Sequence, residues 1–362
     1  MPLPPTTNDK TIFIDGTPIG PSHAPYIVAE LSANHNGSLE HALALIEAAK
    51  NAGANAVKIQ TYRPDTLTID CNRPDFQINQ GLWQGKNLYQ LYEWAHTPWE
   101  WHAALFQKAQ AVGITLFSSP FDASAVELLE SLNAPAYKIA SFELIDHALI
   151  KCVAKTGKPL ILSTGMADQA EIAEAVTVAR KNGCTELMLL QCVSGYPAPA
   201  SDYNLRTLAD MASRFDCLVG LSDHTLCSTT AITSIALNAC LIEKHFTLSR
   251  EEPSPDAAFS LEPHELADLC TSAKTAWSAL GQANYQRRPS EEANLVFRRS
   301  LYVVEDMQAG DVFSAENLRS IRPGYGLAPK HLTAIIGQRA AKPIKAGTRM
   351  DWSMTTNNED PQ

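Results

Sequence analysis

The sequence predicts an α/β fold in which a (β/α)8 TIM barrel is followed by a small β-rich domain. Between residues 26 and 280, eight short and nearly all-apolar segments alternate with eight segments of helical periodicity. Such strands are typical of parallel sheets buried on both faces, and the span matches the roughly 250 residues usual for this barrel. A doubly wound open sheet is the alternative arrangement of the same alternation. After Gly281 the sequence becomes polar before short strands and turns return.

The elements can be assigned in chain order. A hairpin comes first, because β-prone runs at 11–14 and 17–19 flank the turn dipeptide Asp15-Gly16. The eight predicted barrel strands are 26–31, 56–60, 114–118, 136–140, 159–163, 186–192, 217–221 and 241–245. The helices that follow them are predicted at 39–51, 98–112, 123–132, 147–155, 169–181, 204–214, 228–238 and 263–280.

Two segments fall outside this alternation. Residues 61–97 form an unusually long loop with a helical pattern only at 87–95, and its aromatic residues favour an ordered lid or a subunit contact over disorder. Residues 282–296 are predicted to be a linker between a barrel domain at 1–281 and a β-rich domain at 297–362. In the latter we expect a strand at 300–304, a turn at Ala309-Gly310 and a helix start at 314–317.

Composition narrows the function classes. Lys plus Arg number 29 against 39 for Asp plus Glu, a net charge of −10 that argues against nucleic acid as a partner. The eight cysteines are scattered without a C-x-x-C pair, as in the reduced core of a cytoplasmic protein. No secretory signal is visible, and the apolar stretch 231–242 is too short and too polar to span a membrane. We therefore expect a cytoplasmic protein that works on small molecules.

Side chains at the predicted strand ends carry the chemistry, because active sites of these barrels lie there. Lys58 and Lys138 lie within apolar strands, where an unpaired ammonium is costly, so each needs an anion. Hydroxyls at the strand ends would complete a site for a phosphate and a carboxylate: Ser119, Ser141, Ser163, Ser194 and Ser222. Taken singly, each residue also fits a structural role, with a buried glutamate beside each lysine and serines capping helices. The set as a whole favours an anion site.

A metal site is a second hypothesis. His224 and His245 end neighbouring strands, so both could bind one divalent metal ion and leave positions open for water or substrate. Two histidines without a spacing motif also fit ordinary structural hydrogen bonding. Glu30, at the end of the first strand, could be a third ligand or an acid or base. Such ligands suit Mn²⁺, Mg²⁺ and Co²⁺ alike.

Ordered motifs along nearly the whole chain carry a family resemblance. In the barrel they are AELSANHNG (29–37), AVKIQTY (56–62), FSSPFD (117–122), YKIASFE (137–143), LSTGM (162–166), GLSDHT (220–225) and IEKHFT (242–247). The chain resembles the sialic acid synthase family, the phosphoenolpyruvate-dependent synthases of nine-carbon sugar acids. RRSLYVV (298–304) and IRPGYG (321–326) resemble that family's antifreeze-like (SAF) C-terminal domain.

Within the family the chain is most similar to the pseudaminic acid branch. Three features carry this: Leu-Ser-Ala before Asn-His-Asn, the segment Ala140-Ser141-Phe142-Glu143, and the form of residues 88–102. Ser194 departs from the Asn that sialic acid synthases usually have there. Phe142 stands where they tend to have Gly, which is compatible with an apolar patch against a sugar methyl group.

The resemblance implies a role for each candidate residue. Phosphoenolpyruvate would be held by Lys58, Ser119, Lys138, Ser141, Ser163, Ser194 and Ser222. His224 and His245 would hold the divalent metal, and Glu30 would act near the reacting aldehyde or the attacking water. The sugar would contact Glu143, Tyr196 and Asp256. Arg322 would reach it from the other subunit of a domain-swapped homodimer.

The implied reaction joins phosphoenolpyruvate, 2,4-diacetamido-2,4,6-trideoxy-β-L-altropyranose and water to give pseudaminic acid and phosphate. The alternatives are an N-acetylneuraminic or legionaminic acid synthase, and a non-catalytic carbohydrate-binding protein. The buried lysines and the two histidines argue against the non-catalytic alternative, because a barrel without activity would not need them.

Overall fold

A computed structural model describes residues 10–356 and divides the chain into two compact units, one up to Gly281 and one from Gln282 on. The first unit opens with a hairpin of β1 (Ile12–Ile14) and β2 (Thr17–Ile19). Eight parallel strands then close into a barrel: β3 (Tyr26–Glu30), β4 (Ala56–Thr61), β5 (Thr115–Pro120), β6 (Tyr137–Ile139), β7 (Leu160–Ser163), β8 (Leu187–Cys192), β9 (Leu218–Ser222) and β10 (Ala239–His245). The predicted TIM barrel is therefore confirmed.

Helices follow the barrel strands in the predicted order. They are α1 (Leu39–Asn51), α2 (Pro64–Leu67), α3 (Leu88–Ala95), α4 (His102–Val112), α5 (Ala123–Ser131), α6 (His147–Ala154), α7 (Gln169–Lys181), α8 (Thr207–Phe215), α9 (Thr229–Ile235) and α10 (Pro263–Leu280). Local caps explain why some ends match the prediction. The Asp168 side chain accepts hydrogen bonds from the first turn of α7, and Glu171 bonds back to the Asp168 amide.

Other helix ends differ from the prediction for local reasons. The helix predicted from residue 98 starts at His102, because Trp99–Trp101 form a 3₁₀ turn. The helix predicted from residue 204 starts at Thr207, because Asn204 has a φ of 44°, which is incompatible with a helix. Asn238 has a φ of 71°, so the helix that was predicted to include it ends earlier.

Apolar side chains close the end of the barrel at which the strands begin. Ile12, Ile14 and Ile19 of the hairpin are buried and belong to one cluster with Tyr26 and Leu218, near the starts of β3 and β9. The two residues between the hairpin strands both have positive φ values, as the turn dipeptide predicts. The hairpin thus seals the N-terminal end and leaves the C-terminal end for chemistry.

The long loop after β4 is ordered, and we call residues 61–97 the lid segment. It contains α2 and α3, and α3 begins where the Asn87 side chain accepts a hydrogen bond from the Gln90 amide. Leu91 of α3 is buried, and the Tyr62 ring contacts the Tyr92 ring edge-on at 5.9 Å. The Tyr62 ring also meets Phe121, outside the segment, edge-on at 5.1 Å, so packing against the barrel holds the segment in place.

The second unit has its own core. Its strands β11 (Ser300–Val303) and β12 (Leu318–Ile321) pair antiparallel, and α11 (Leu332–Ile335) packs beside them. Residues 289–297 form 3₁₀ turns, so the predicted linker is partly structured. The helix start predicted at 314–317 is wrong: Asn317 accepts a hydrogen bond from the Ser314 amide in a turn, and β12 begins directly after it. Residues 1–9 and 357–362 of the predicted domains lie outside the described residues.

All eight cysteines are free thiols, and Cys184, Cys192, Cys217 and Cys240 are buried. This agrees with the expected reduced core. Among the described residues, no helix is long and apolar enough to cross a membrane.

Candidate active site

A cavity of about 210 Å³ opens at the C-terminal ends of the barrel strands. Ten of the fourteen sequence-predicted site residues line it: Glu30, Lys58, Lys138, Ser141, Glu143, Tyr196, Ser222, His224, His245 and Asp256. They come from six strands or the loops after them. The barrel therefore brings distant parts of the sequence to one place.

The two predicted lysines are buried and paired in this cavity. Lys58 Nζ lies 2.5 Å from Glu30 Oε2 and 3.6 Å from Glu243 Oε2, while Lys138 Nζ lies 3.2 Å from Glu243 Oε1. Each lysine thus has the buried glutamate partner that the structural alternative required. Because two ammonium groups face two carboxylates, the charges are balanced.

Burial and charge oppose one another in this cluster. Burial alone would raise the pKa of Glu243 and lower that of Lys138, but the opposite charges outweigh it and shift both pKa values the other way. Burial raises the pKa of Glu30, only partly offset by Lys58. Lys138 and Glu243 are therefore held ionised at neutral pH.

Two of the five predicted serines bond to the lysine–glutamate cluster, and two others lie beside Gly165. Ser119 Oγ accepts a hydrogen bond from Lys58 at 3.3 Å, and Ser222 donates one to Glu243 at 3.1 Å. Ser141 accepts a hydrogen bond from the Gly165 amide at 3.2 Å, and a side chain at Gly165 would collide with both Ser141 and Ser194.

Ser163 and Ser194 are the two serines with unused hydroxyls. Neither lines the cavity, and the buried Oγ of each lacks a hydrogen-bond partner among the described residues. A buried hydroxyl without a partner is unfavourable, and a bound anion could supply the missing acceptor.

His224 and His245 lie side by side at the ends of β9 and β10, with ring centroids 5.3 Å apart. His224 Nδ1 lies 2.8 Å from the Val193 carbonyl oxygen, which can only accept, so Nδ1 carries the proton and Nε2 has a free lone pair. His245 Nδ1 is buried, has no hydrogen bond to any residue of the described range 10–356, and lies 3.7 Å from Asp256 Oδ2. Burial lowers the pKa of His224 to about 4 and that of His245 well below its usual value, so both are neutral at pH 7.

The residues predicted to contact the sugar carry two perturbed carboxyl groups. Burial raises the pKa of Glu143 to about 7, and its Oε2 is buried without a partner among the described residues. Burial also raises the pKa of Asp256 to about 6, although Ser32 donates a hydrogen bond to it. The Tyr196 ring lies tilted against the rings of His224 and Phe259, with centroid distances of 4.5 and 5.1 Å.

Sequence reasoning did not select Glu243 as a site residue, although it is the common partner of both lysines. The signal was present: Glu243 and His245 are two residues apart on one strand, so they face the same side. Lys244 between them faces away and is 3.1 Å from Asp223. Gln60 and Trp83 were also missed, because nothing in their local sequence distinguishes them.

Arg322 is the one predicted site residue outside the barrel unit. It is exposed, directly after β12, and precedes a cis peptide bond to Pro323. Its predicted role depends on a second subunit and stays a prediction.

A profile of the NeuB family matches residues 45–285, two thirds of the chain, and a profile of the SAF domain matches residues 298–354. The chain belongs to the NeuB family. The resemblance seen in the sequence is confirmed, as is the SAF domain. This NeuB-family chain is therefore of the phosphoenolpyruvate-using synthase type.

Individual relatives indicate the product more narrowly than the family profile does. The chain is 44% identical over 328 residues to a protein named pseudaminic acid synthase from Campylobacter jejuni strain 81-176, covering 91% of this chain and 96% of that protein. It is 43% identical over 325 residues to one of the same name from Helicobacter pylori, covering 90% and 96%. An N,N'-diacetyllegionaminic acid synthase from Legionella pneumophila is 35% identical, covering 92% and 96%.

A solved structure agrees with the fold. The N-acetylneuraminic acid synthetase of Leptospira borgpetersenii, in complex with citrate, superposes with a TM-score of 0.71 at 30% identity. The match covers 80% of this chain and 96% of that one.

The two histidines fit the divalent metal expected of this family. They form a neutral imidazole pair with one free ring nitrogen on His224 and one unsatisfied buried nitrogen on His245, next to a carboxylate. Within residues 10–356, no group of three or more His, Cys, Asp or Glu side chains could hold a metal. Two protein ligands with open positions suit a catalytic ion whose other ligands come from water and substrate.

Proposed function

We propose that the protein condenses phosphoenolpyruvate with 2,4-diacetamido-2,4,6-trideoxy-β-L-altropyranose and water, and releases pseudaminic acid and phosphate. The observation that carries this is the identity of 43–44% along about 90% of the chain to relatives named pseudaminic acid synthase. The cavity supports it, because it combines buried cations, neutral histidines and carboxyl groups of raised pKa.

In this proposal the two lysines bind the anionic groups of phosphoenolpyruvate. Lys58 and Lys138 would exchange part of their contact with Glu243 for the phosphate and the carboxylate. Ser119, Ser141, Ser163, Ser194 and Ser222 would supply hydroxyl donors around them. Fixing the substrate in this way replaces a bimolecular encounter with an oriented one.

The reaction forms one carbon–carbon bond and replaces the phosphate oxygen at C2 by an oxygen from water, while the former aldehyde oxygen gains a proton. C3 of phosphoenolpyruvate attacks the aldehyde carbon of the open-chain sugar, which leaves cationic character at C2. Water adds at C2, and phosphate then leaves with cleavage of the C2–O bond. We assign to Glu30 the proton transfer at the aldehyde oxygen or the water. Two observations support this role: Gln60 donates a hydrogen bond to its Oε1 at 2.9 Å, and burial raises its pKa.

A divalent metal held by His224 and His245 would supply Lewis acidity toward the aldehyde oxygen. Asp256, 3.7 Å from His245, would orient that ring and contact the sugar with Tyr196 and Glu143. Glu243 raises the pKa of Lys138, so this lysine keeps its proton and does not compete with the histidines as a base.

We further propose a homodimer in which Arg322 of one chain completes the sugar site of the other. The support is the family resemblance and the exposed position of Arg322 on the second unit. We also propose that the protein is cytoplasmic, in line with its free thiols.

Phosphate release from phosphoenolpyruvate with Mn²⁺ tests the proposed function. Three sugars are supplied in parallel: the trideoxy-altrose, its manno-type counterpart for legionaminic acid, and N-acetylmannosamine. We expect release with the altrose sugar. Release only with one of the others would keep the reaction and overturn the substrate, and no release with any of them would overturn the proposal.

A further inference from the structure

The cavity has two kinds of lining. Most of the charged groups come from the strand ends, whereas six of the large apolar or aromatic side chains come from the loops after the strands. We call these six the apolar wall: Leu67, Trp83, Leu91, Tyr92, Phe121 and Phe142. Four belong to the lid segment, Phe121 directly follows β5, and Phe142 lies in the 3₁₀ turn three residues after the end of β6.

Aromatic contacts hold the apolar wall in place. The buried Tyr62 ring meets Phe121 edge-on at 5.1 Å and Tyr92 at 5.9 Å. The Trp83 ring lies 6.0 Å from Tyr196, and its indole N–H donates to the Pro255 carbonyl oxygen at 3.1 Å. Because that donor is already used, Trp83 offers only its apolar ring to a ligand.

Phe142 is the least covered part of the wall. It lines the cavity, yet 56% of its surface is exposed. A sugar hydroxyl placed against this wall would lose water without gaining a partner, which is unfavourable. A methyl group in the same place would instead be removed from water, which is favourable.

We propose that the apolar wall determines sugar specificity by packing against the C6 methyl group of a 6-deoxy sugar, with Phe142 as its main contact. The inference rests on the proposed function, because it assumes that an amino sugar enters this cavity. Beyond the proposed function, the inference identifies the surface that disfavours a sugar with a C6 hydroxyl group. A single methylene or hydroxyl in an apolar pocket changes kcat/KM by roughly 10- to 200-fold.

The test compares two sugars that differ only at C6: the 2,4-diacetamido-2,4,6-trideoxy-altrose and its 6-hydroxy counterpart. The readout is the ratio of their kcat/KM values for phosphate release, which does not depend on the overall activity of a variant. We expect Phe142→Asn to lower the preference for the deoxy sugar by roughly tenfold, and Phe142→Leu to keep it. Leu67→Asn is a second variant with the same expected direction.

Ile145→Asn is the matched control, because Ile145 is similarly exposed (64%) on the same loop but does not line the cavity. It should leave the ratio unchanged. If the wild-type protein is active on the deoxy sugar and the kcat/KM ratio is unchanged in both Phe142→Asn and Leu67→Asn, the apolar wall does not determine sugar specificity. The proposed function would still stand. Wild-type protein inactive with both sugars would overturn both.

Discussion

Glu243→Gln is the variant that examines the charge cluster most closely. It keeps the size of the side chain and an oxygen that accepts hydrogen bonds, but it removes the negative charge between Lys58 and Lys138. Lys58 would keep Glu30 at 2.5 Å, whereas Lys138 would have no remaining ion-pair partner in the part of the chain that the structure describes. The ligand-free protein should therefore lose stability.

The size of the loss follows from the distances. At 3.2 and 3.6 Å and an effective dielectric constant of about 20, the gross attraction is about 5 kcal/mol for each pair. The desolvation of the carboxylate offsets much of it, and removing one partner of a buried pair costs about 3–5 kcal/mol. We expect the lower end, because Lys58 retains Glu30. For a domain of this size, 3 kcal/mol lowers Tm by about 6 °C.

A bound anion should restore the missing charge. Phosphoenolpyruvate would then stabilise Glu243→Gln more than it stabilises the wild-type protein. If the anion recovers about 1.4 kcal/mol of the loss, its affinity for the variant rises about tenfold. The assay is thermal unfolding with and without phosphoenolpyruvate, with the exposed Glu127→Gln as a control for a surface charge. Equal stability of variant and wild type, or equal stabilisation of both by the anion, would refute this reasoning.

Four further results are expected. Lys138→Ala should raise KM for phosphoenolpyruvate by about tenfold without raising KM for the sugar, and an unchanged value would rule out its role. His245→Ala should abolish the Mn²⁺ binding that calorimetry detects in the wild-type protein, and retained binding would place the metal elsewhere. The pKa of Glu143 is raised to about 7 in the folded protein, so the folded state binds this proton more tightly than the unfolded state and loses stability as pH rises from about 4.5 to 7. The Tm gain of Glu143→Gln over wild type should therefore be larger at pH 8 than at pH 5. Equal gains at the two pH values would contradict this. If Arg322 of one subunit completes the site of the other, mixing equal amounts of Arg322→Ala and Lys58→Ala should restore about a quarter of the activity, because half of the dimers are mixed and one of their two sites is intact. If Arg322 acts only within its own subunit, mixing should restore none.

The fold was largely predictable because its signals are local. Alternating apolar strands and helical periodicity identify the barrel, and caps such as Asp168 fix helix ends within a few residues. Where a turn overrides propensity, the prediction failed: Asn204 is left-handed and delays α8, and Asn317 closes a turn where a helix start was expected.

The site was predictable in composition but not in arrangement. Strand ends identify Lys58, Lys138 and the two histidines, because the barrel topology fixes where strand ends meet. That Glu243 serves both lysines depends on distances across the barrel, which no spacing along the chain encodes. The contribution of Trp83 depends on how a 37-residue segment (61–97) folds over the cavity, and long-range packing decides that.

Mass spectrometry of a single reaction tests the central claim most directly. The protein is given the trideoxy-altrose, Mn²⁺ and phosphoenolpyruvate labelled with ¹⁸O in the oxygen that bridges C2 and phosphorus. We expect a new nine-carbon acid and phosphate that carries the label, because the C2–O bond breaks and the bridging oxygen leaves with phosphorus. Unlabelled phosphate, or phosphate without a nine-carbon acid, would contradict it.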